Sequence, residues 1–431
     1  MRFDKLIQQS LIWRGFYFVT LFLVNIILSR TLHADGSGLV YYISTFFALA
    51  QLIISANLES GFTYFSSGNI IHHNKLALFG LLWSVLATIL IALILPAYFN
   101  HFEKINSISV NSYVLYGVCF MGGITLVNFF TVLFYSKGNF FLPNLSLGIL
   151  NILFLVIVWM VNSAGVPASA IMHYYFYFLL FQGVVLAIIF IITNKTYKAI
   201  SLPDKNELNQ LFRYSMVALA ANIVFFFIYR IDFWFVRYNC PANDLGNYIQ
   251  ASKLGQMIFI IPQIIASAIF PQIASGKLHE DVSRAIVILF RLFIQVFILL
   301  ILVVLLTGRW LFPFIFGETF NKVQVPLLLL LPGILSLSLL CLLSAYFAGK
   351  NKVKVNMIGA CIGLAVVIAG NTIGLKHYSI YIAAGVSTLG YFTNFLYSLI
   401  RFVKDEKFNA KEIYRWNMND WQWLRNMIFN K

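Results

Sequence analysis

The sequence predicts an all-α polytopic membrane protein with about twelve transmembrane helices. Three observations carry that reading. Of the 431 residues, 60% are hydrophobic and only 10% are charged, whereas a soluble domain carries about 25% charged residues. Apolar runs of roughly membrane-spanning length recur from end to end. Lys and Arg concentrate on alternate loops, as they do on the cytoplasmic side of a multi-pass protein.

The apolar runs fall near residues 10–30, 40–60, 76–96, 112–134, 142–162 and 168–192. After a polar stretch they resume near 213–236, 246–270, 284–306, 324–348, 353–374 and 379–402. Hydrocarbon offers no partner for a free N–H or C=O, so lipid-facing runs of this length must be helices. The short alternating segments of a membrane barrel are not visible.

With the N-terminus inside, the cytoplasmic segments collect Arg2, Lys5, Lys75, Lys137, Lys195, Lys198, Lys205 and Arg213, then Lys277, Arg284, Lys350, Lys352, Lys354 and the bases of the tail. The outer loops hold only Arg30, Lys104, Arg237, Arg309, Lys322 and Lys376. Both termini are therefore expected in the cytoplasm. The formal net charge of +15 is explained by this bias, so nucleic acid is not an expected partner. Arg14 interrupts the first apolar run and no small-residue cleavage site follows, so that run reads as a retained helix.

The polar stretch 193–212 divides the chain into two sets of six runs. Around the first turn the sequence reads Ala34-Asp35-Gly36-Ser37-Gly38-Leu39-Val40-Tyr41-Tyr42-Ile43-Ser44. In the second half it reads Ala242-Asn243-Asp244-Leu245-Gly246-Asn247-Tyr248-Ile249-Gln250-Ala251-Ser252. An acid, a Gly and Tyr-Ile recur at an offset of about 207 residues, which suggests two parallel-related halves. The expected organisation is a six-helix bundle over 1–200, a second over 201–403, and an amphipathic cytoplasmic tail over 404–431. In that tail Trp421, Leu424 and Ile428 lie at helical spacing.

Several chemistries are missing from the sequence. Gly276-Lys277 and Gly349-Lys350 lack the rest of a phosphate-binding loop. There is no His-Glu-x-x-His motif, and His72-His73 are adjacent residues that cannot share a helix face. No Gly-x-Ser-x-Gly elbow is present. Cys119, Cys240, Cys341 and Cys361 have neither disulfide-framework nor zinc spacing. The expectation is a protein that is not an enzyme, holds no metal or organic cofactor, and uses an ion gradient (H+ or Na+) or the gradient of its own solute.

Charges inside spans are costly and usually functional. Arg14, Arg230, Lys253 and Arg291 are such cations, and Asp232 is the acid among them. Arg230 and Asp232 are two apart on one helix and diverge, so the sequence nominates Lys253 on the next helix as a partner for Asp232. The positive sum suits an anionic solute. Amides such as Asn25, Asn128, Asn151, Gln182, Gln250 and Gln256 join helices or line a hydrated path. Pro262, Pro271, Pro326 and Pro332 remove backbone bonds and make their helices bendable.

The run Arg230-Ile231-Asp232, then Gly246-Asn247-Tyr248-Ile249-Gln250-Ala251-Ser252-Lys253-Leu254, Ile261-Pro262-Gln263-Ile264 and Phe270-Pro271-Gln272-Ile273-Ala274, resembles the polysaccharide-biosynthesis (O-antigen) flippases. These belong to the multidrug/oligosaccharidyl-lipid/polysaccharide exporter superfamily. Leu58-Glu59-Ser60-Gly61-Phe62-Thr63-Tyr64-Phe65 is similar to that family's second-helix ending. The resemblance implies two six-helix bundles in a MATE-like fold. It also implies alternating-access translocation of polyprenyl-diphosphate-linked oligosaccharide across a bacterial inner membrane, beside membrane lipids, a polysaccharide polymerase and a chain-length regulator. Arg14, Arg230, Lys253 and Arg291 are then expected to contact the anionic substrate, and Asp232 and Glu59 to serve ion coupling or gating. The drug-exporting branch commonly has an acid in its first helix, and this chain has Arg14 there and no acid, which speaks against a multidrug/cation antiporter. A membrane glycosyltransferase or polymerase would need acids on a sizeable outer loop, and the largest outer loops hold only Glu103 and Glu318.

Overall fold

The structure, a computed structural model, describes residues 3–102, 108–196, 201–259, 261–263, 265–266, 279–350, 352–407 and 420–422. All regular structure among the described residues is helical. In chain order the helices are α1 (Phe3–Ile54), α2 (Leu58–Ser67), α3 (His73–Phe102), α4 (Val110–Ser136), α5 (Phe141–Ser163) and α6 (Ala168–Thr193). They continue as α7 (Lys205–Asn239), α8 (Ala242–Ile258), α9 (His279–Phe316), α10 (Gln324–Gly349), α11 (Val353–Ile373) and α12 (Ile380–Glu406). Among the described residues, 9 helices are long and apolar enough to cross a membrane.

α1 contains two of the expected spans. His33 has non-helical angles, φ 55° and ψ −176°, and the chain reverses there. In a straight helix Asn25 and Tyr41 would lie about 24 Å apart. Instead the Tyr41 hydroxyl donates to Asn25 Oδ1 at 2.6 Å. Runs 10–30 and 40–60 are thus two legs of one hairpin. The second leg ends at Ile54, and Ala56 and Asn57, both at φ 50°, redirect the chain into α2.

The chain divides into two compact units, Met1–Ile223 and Val224–Lys431, so the division falls within α7. In the first unit α4 packs on α3 and α6, and α1 on α5. Phe62, Phe129, Phe130, Phe134 and Phe190 fill its core. The α4–α6 crossing is set by two small residues. A Cβ on Gly123 would lie 2.2 Å from the Leu179 carbonyl oxygen, and one on Gly183 would lie 2.5 Å from the Gly123 carbonyl oxygen. Only glycine lets these backbones approach so closely, which is how helices gain packing contacts in lipid.

α7 begins with a capping box. Asp204 Oδ1 accepts from the backbone N–H groups of Asn206 (2.9 Å) and Glu207 (2.8 Å), and Glu207 Oε2 accepts from the Asp204 N–H at 2.7 Å. Glu207 also pairs with Lys75 at 2.9 Å.

In the second unit α10 packs on α12, α9 and α8, and α11 packs on α12. Leu342, Leu343, Tyr346, Phe347 and Phe402 are buried in its core. Pro332 lies inside α10 and Pro313 inside α9. Pro271 lies outside the described residues, as do Leu424 and Ile428 of the tail.

The end of α12 is fastened by ion pairs to the turn between α10 and α11. Lys350 Nζ reaches Glu406 Oε1 at 2.5 Å, Lys352 reaches Asp405 at 2.5 Å, and the Tyr346 hydroxyl donates to Glu406. Partial burial pushes the Glu406 carboxyl up, but the hydrogen bonds from Lys350 and Tyr346 outweigh it and hold the carboxyl below its usual range. A depressed carboxyl stabilises the folded state above its unfolded pKa and loses that contribution as pH falls through the folded value. The thermal stability of the wild type should therefore fall on acidification below about pH 4.3, the ordinary Glu range. E406Q should be less stable near neutrality and should show a smaller loss over that window. A melting curve at each pH reads the difference, and parallel curves would contradict the clamp.

Candidate functional site

α7 and α8 meet at a turn around Cys240, so residues equally distant from it along the two helices lie level. Asp232 and Tyr248 are each eight positions from Cys240. The Tyr248 hydroxyl donates to Asp232 Oδ2 at 2.5 Å, and the Ser387 hydroxyl of α12 donates to the same oxygen at 2.8 Å. Asp232 is 1% exposed, and its other oxygen, Oδ1, has no hydrogen-bond partner. A buried carboxylate oxygen left without a donor is costly and marks a place where a proton or cation would be stabilising.

The partner nominated from the sequence differs. Lys253 lies five residues beyond Tyr248, about 7.5 Å farther along α8, and so is out of level with Asp232. Tyr248 and Ser387 hold the carboxylate instead.

Arg230, one half-turn before Asp232 on α7, points into a cavity of about 260 Å³. Its Nη2 donates to Gln256 Oε1 at 2.7 Å, and Gln256 Nε2 donates to Ser252 Oγ at 3.2 Å. Its guanidinium also lies 5.1 Å from the centroid of the Phe233 ring, a cation–π distance. The rest of the wall is mostly apolar or aromatic, with Phe226, Tyr229, Phe259, Ile334 and Tyr391, and it also carries Gln263. No acidic side chain lines the cavity among the described residues. Gly255 lets α8 come close to α10, since a Cβ there would lie 2.1 Å from Ile334 Cδ1. Lys253, on the same helix as Ser252 and Gln256, is within electrostatic reach of Arg230.

The remaining nominated residues lie elsewhere. Arg14 stacks on Tyr135 at 4.4 Å in the first unit, and Tyr135 is fixed by a hydrogen bond to Asn144 Oδ1 at 2.9 Å. Glu59 Oε2 accepts from Asn128 Nδ2 at 3.0 Å. Arg291 does not line the cavity, because Asp420 of the tail takes its Nε and Nη2 at 2.7 Å each. Within the second unit the three cations have different surroundings. Arg230 lines the cavity, Lys253 stands near it, Arg14 belongs to the other unit, and Arg291 is engaged by the tail.

Tyr248, Ser387, Tyr229 and Tyr391 escaped the sequence reading. The first could have been found from the repeat. Asn25 and Tyr41 stand 207 residues before Asp232 and Tyr248, and both pairs make the same Tyr-to-Asx hydrogen bond across a hairpin. The first unit carries a neutral amide where the second carries an acid. Its interior includes an uncharged network in which Gln182 donates to Asn151 Oδ1 (2.9 Å) and Asn151 donates to Thr20 Oγ1 (3.0 Å).

No family model matches the chain, and no curated protein matches it. Solved structures do. An inward-facing multidrug resistance MATE family transporter of the MOP superfamily aligns with a TM-score of 0.67 at 14% identity, covering 95% of this chain and 97% of that one. The MATE transporter VcmN of Vibrio cholerae in its bent form gives a TM-score of 0.61 at 14% identity, covering 94% and 98%. A MOP superfamily transporter of Pyrococcus furiosus, whose binding pocket is described as having reverse polarity that suggests a different function, gives 0.62 at 14% identity, covering 94% and 97%. The chain thus has the all-helical fold of the MATE transporters, and it is a multi-pass membrane protein.

Proposed function

We propose that this protein is an alternating-access transporter of an anionic amphiphile, and that its solute is a polyprenyl-diphosphate-linked oligosaccharide moved across a bacterial inner membrane with both termini in the cytoplasm. The observation that carries the reading is the chemistry of the cavity. Among the described lining residues Arg230 carries the charge, none is acidic, Ser252, Gln256 and Gln263 are neutral and polar, and the rest is aromatic or apolar. A guanidinium offers paired donors to a phosphate. The aromatic rings and the Gln256 and Ser252 side chains offer stacking and hydrogen bonds to a ring bearing hydroxyls. The fold supports transport, and the Pyrococcus furiosus relative is a precedent for altered pocket polarity in this architecture.

A second reading is export of drugs or cations. The solved relatives favour it more directly than the first, because they include multidrug resistance transporters. Against it stands the positive cavity, which repels a cation. Deleting the gene in its host separates the two. Loss of surface polymer with lipid-linked units left on the cytoplasmic side supports the first reading, and unchanged polymer with heightened sensitivity to cationic drugs moves it to the second.

Asp232 is the coupling site in this account. Its open Oδ1 accepts a proton or Na+ while Tyr248 and Ser387 keep Oδ2 in place. Asp232→Asn leaves the fold intact, because the amide oxygen still accepts from both hydroxyls. Transport driven by an imposed ion gradient should drop by about tenfold or more, the effect of losing one charge-dependent contact, while downhill exchange persists. Equal loss of both would contradict a coupling role.

A further inference from the structure

The stripe of α9 that carries Arg291 and Gln295 is met by Asp420 and Trp421 from the C-terminal part of the chain. Asp420 makes a two-pronged contact with Arg291, Nε to Oδ2 and Nη2 to Oδ1, each at 2.7 Å. Asp420 is 2% exposed. One residue on, Trp421 Nε1 donates to Gln295 Oε1 at 2.7 Å. Arg291 and Gln295 are four apart and share a helix face, so two successive residues of the segment read two successive turns of α9. The acid is matched to the cation and the indole N–H to the amide, which makes this a built receptor for a short acidic–aromatic sequence.

Its depth matters. α9 has 38 residues, about 57 Å of helix, against a hydrocarbon core of about 30 Å. Centred in the bilayer, it projects about 13 Å at each end. Arg291 lies about 18 Å from the start of α9, a few ångströms inside the core boundary. Lipid phosphates are within reach of an extended Arg side chain at that level. A phosphate offers a guanidinium the same pair of oxygens that Asp420 offers.

We propose that residues Asp420 and Trp421 form a latch docked on α9, and that the phosphate of an anionic phospholipid exchanges with the Asp420 carboxylate on Arg291 and releases the segment. The Trp421–Gln295 contact sets the register and opposes exchange. Zwitterionic lipid, whose phosphate is neutralised by its own ammonium, leaves the latch closed. Closed, Asp420 and Trp421 are fastened to α9 and restrain that helix. The consequence for transport rests on the function proposed above, whereas the docking and release do not.

The test uses the full chain with its four cysteines replaced and spin labels on Q422C and K404C, both at exposed positions, in nanodiscs. In phosphatidylcholine the wild type should give one narrow distance distribution. Adding phosphatidylglycerol should move more than half of the population to a broad, longer distance. D420N should give that broad distribution in phosphatidylcholine alone. W421F keeps the ion pair but loses the indole donor, and it should release at a lower phosphatidylglycerol fraction than the wild type. The double variant R291Q/D420N should be broad in both lipids with no lipid response. A wild-type distribution that ignores phosphatidylglycerol would overturn the exchange, and D420N remaining narrow would overturn the latch. In phosphatidylcholine vesicles D420N should transport several-fold faster than the wild type. Release with unchanged transport would overturn the restraint on α9, whereas absence of transport in every variant with the distances as expected would count against the proposed function alone.

Discussion

Arg230→Gln should reduce transport of an anionic amphiphile by about one to two orders of magnitude, with the protein still inserted and folded. Hydrogen bonds to a charged group contribute about 1.5–3 kcal/mol, and each 1.4 kcal/mol is a factor of ten in affinity. Gln keeps an uncharged donor at the same place on the wall, although it ends short of the Nη2 that reaches Gln256. What disappears is the positive charge on a wall whose other described residues are neutral. The same substitution should leave a neutral amphiphile almost unaffected and should improve the binding of a cationic dye. Equilibrium binding of a diphosphate-bearing and a cationic amphiphile to the purified variant, each against wild type, reads both changes. Equal losses for both ligands would point to damage of the cavity instead of loss of its charge.

Gly123→Val should be the most damaging single change in the first unit. The added Cβ would lie 2.2 Å from the Leu179 carbonyl oxygen and 2.4 Å from its carbon. These are backbone atoms of α6 and cannot rotate away. α4 and α6 would have to separate, emptying the contacts around Phe176 and Leu179, which are buried there. Overpacking typically costs about 1–3 kcal/mol where side chains can adjust, and here the obstacle is main chain, so the cost belongs at or above the top of that range. Gly183→Val should behave alike, since its Cβ meets the Gly123 carbonyl oxygen at 2.5 Å. Gly385→Ala is the control, because nothing lies within 4 Å of a Cβ there. Fluorescence-detected gel filtration after a heat step should show early loss of the monodisperse peak for the first two and none for the control.

Much of the architecture was legible in the sequence because the bilayer imposes it. A lipid-facing segment has no solvent for its amides, so an apolar run of about 20 residues has one solution. That logic located the runs, and it placed runs 10–30 and 40–60 on separate legs even though the helix is nearly continuous through His33. The repeat was legible as well, through Tyr41 and Tyr248. Its chemical meaning emerges only with the partners, since Asn25 gives no signal until it is seen beneath Tyr41, and Asp232, singled out by its charge, gains Tyr248 only in the fold.

The site was less legible, for two physical reasons. Pairing across a hairpin depends on level, and a helix advances 1.5 Å per residue, so an error of five residues moved the expected partner of Asp232 from Tyr248 to Lys253. Charge alone also does not say where a cation is satisfied. Arg14, Arg230 and Arg291 look alike in an apolar run. The fold gives the first an aromatic ring, the second a cavity and the third a carboxylate from the tail. Of these partners, Asp420 is 129 residues from Arg291, and no local pattern announces it.

The measurement that bears most directly on the central claim is transport by the purified protein in proteoliposomes, offered a polyprenyl-diphosphate-linked saccharide and a cationic drug in parallel, each with wild type and Arg230→Gln. The account predicts movement of the anionic lipid by wild type, its loss in the variant, and little movement of the drug by wild type. Drug transport by wild type that persists in the variant, with no movement of the anionic lipid, would contradict it.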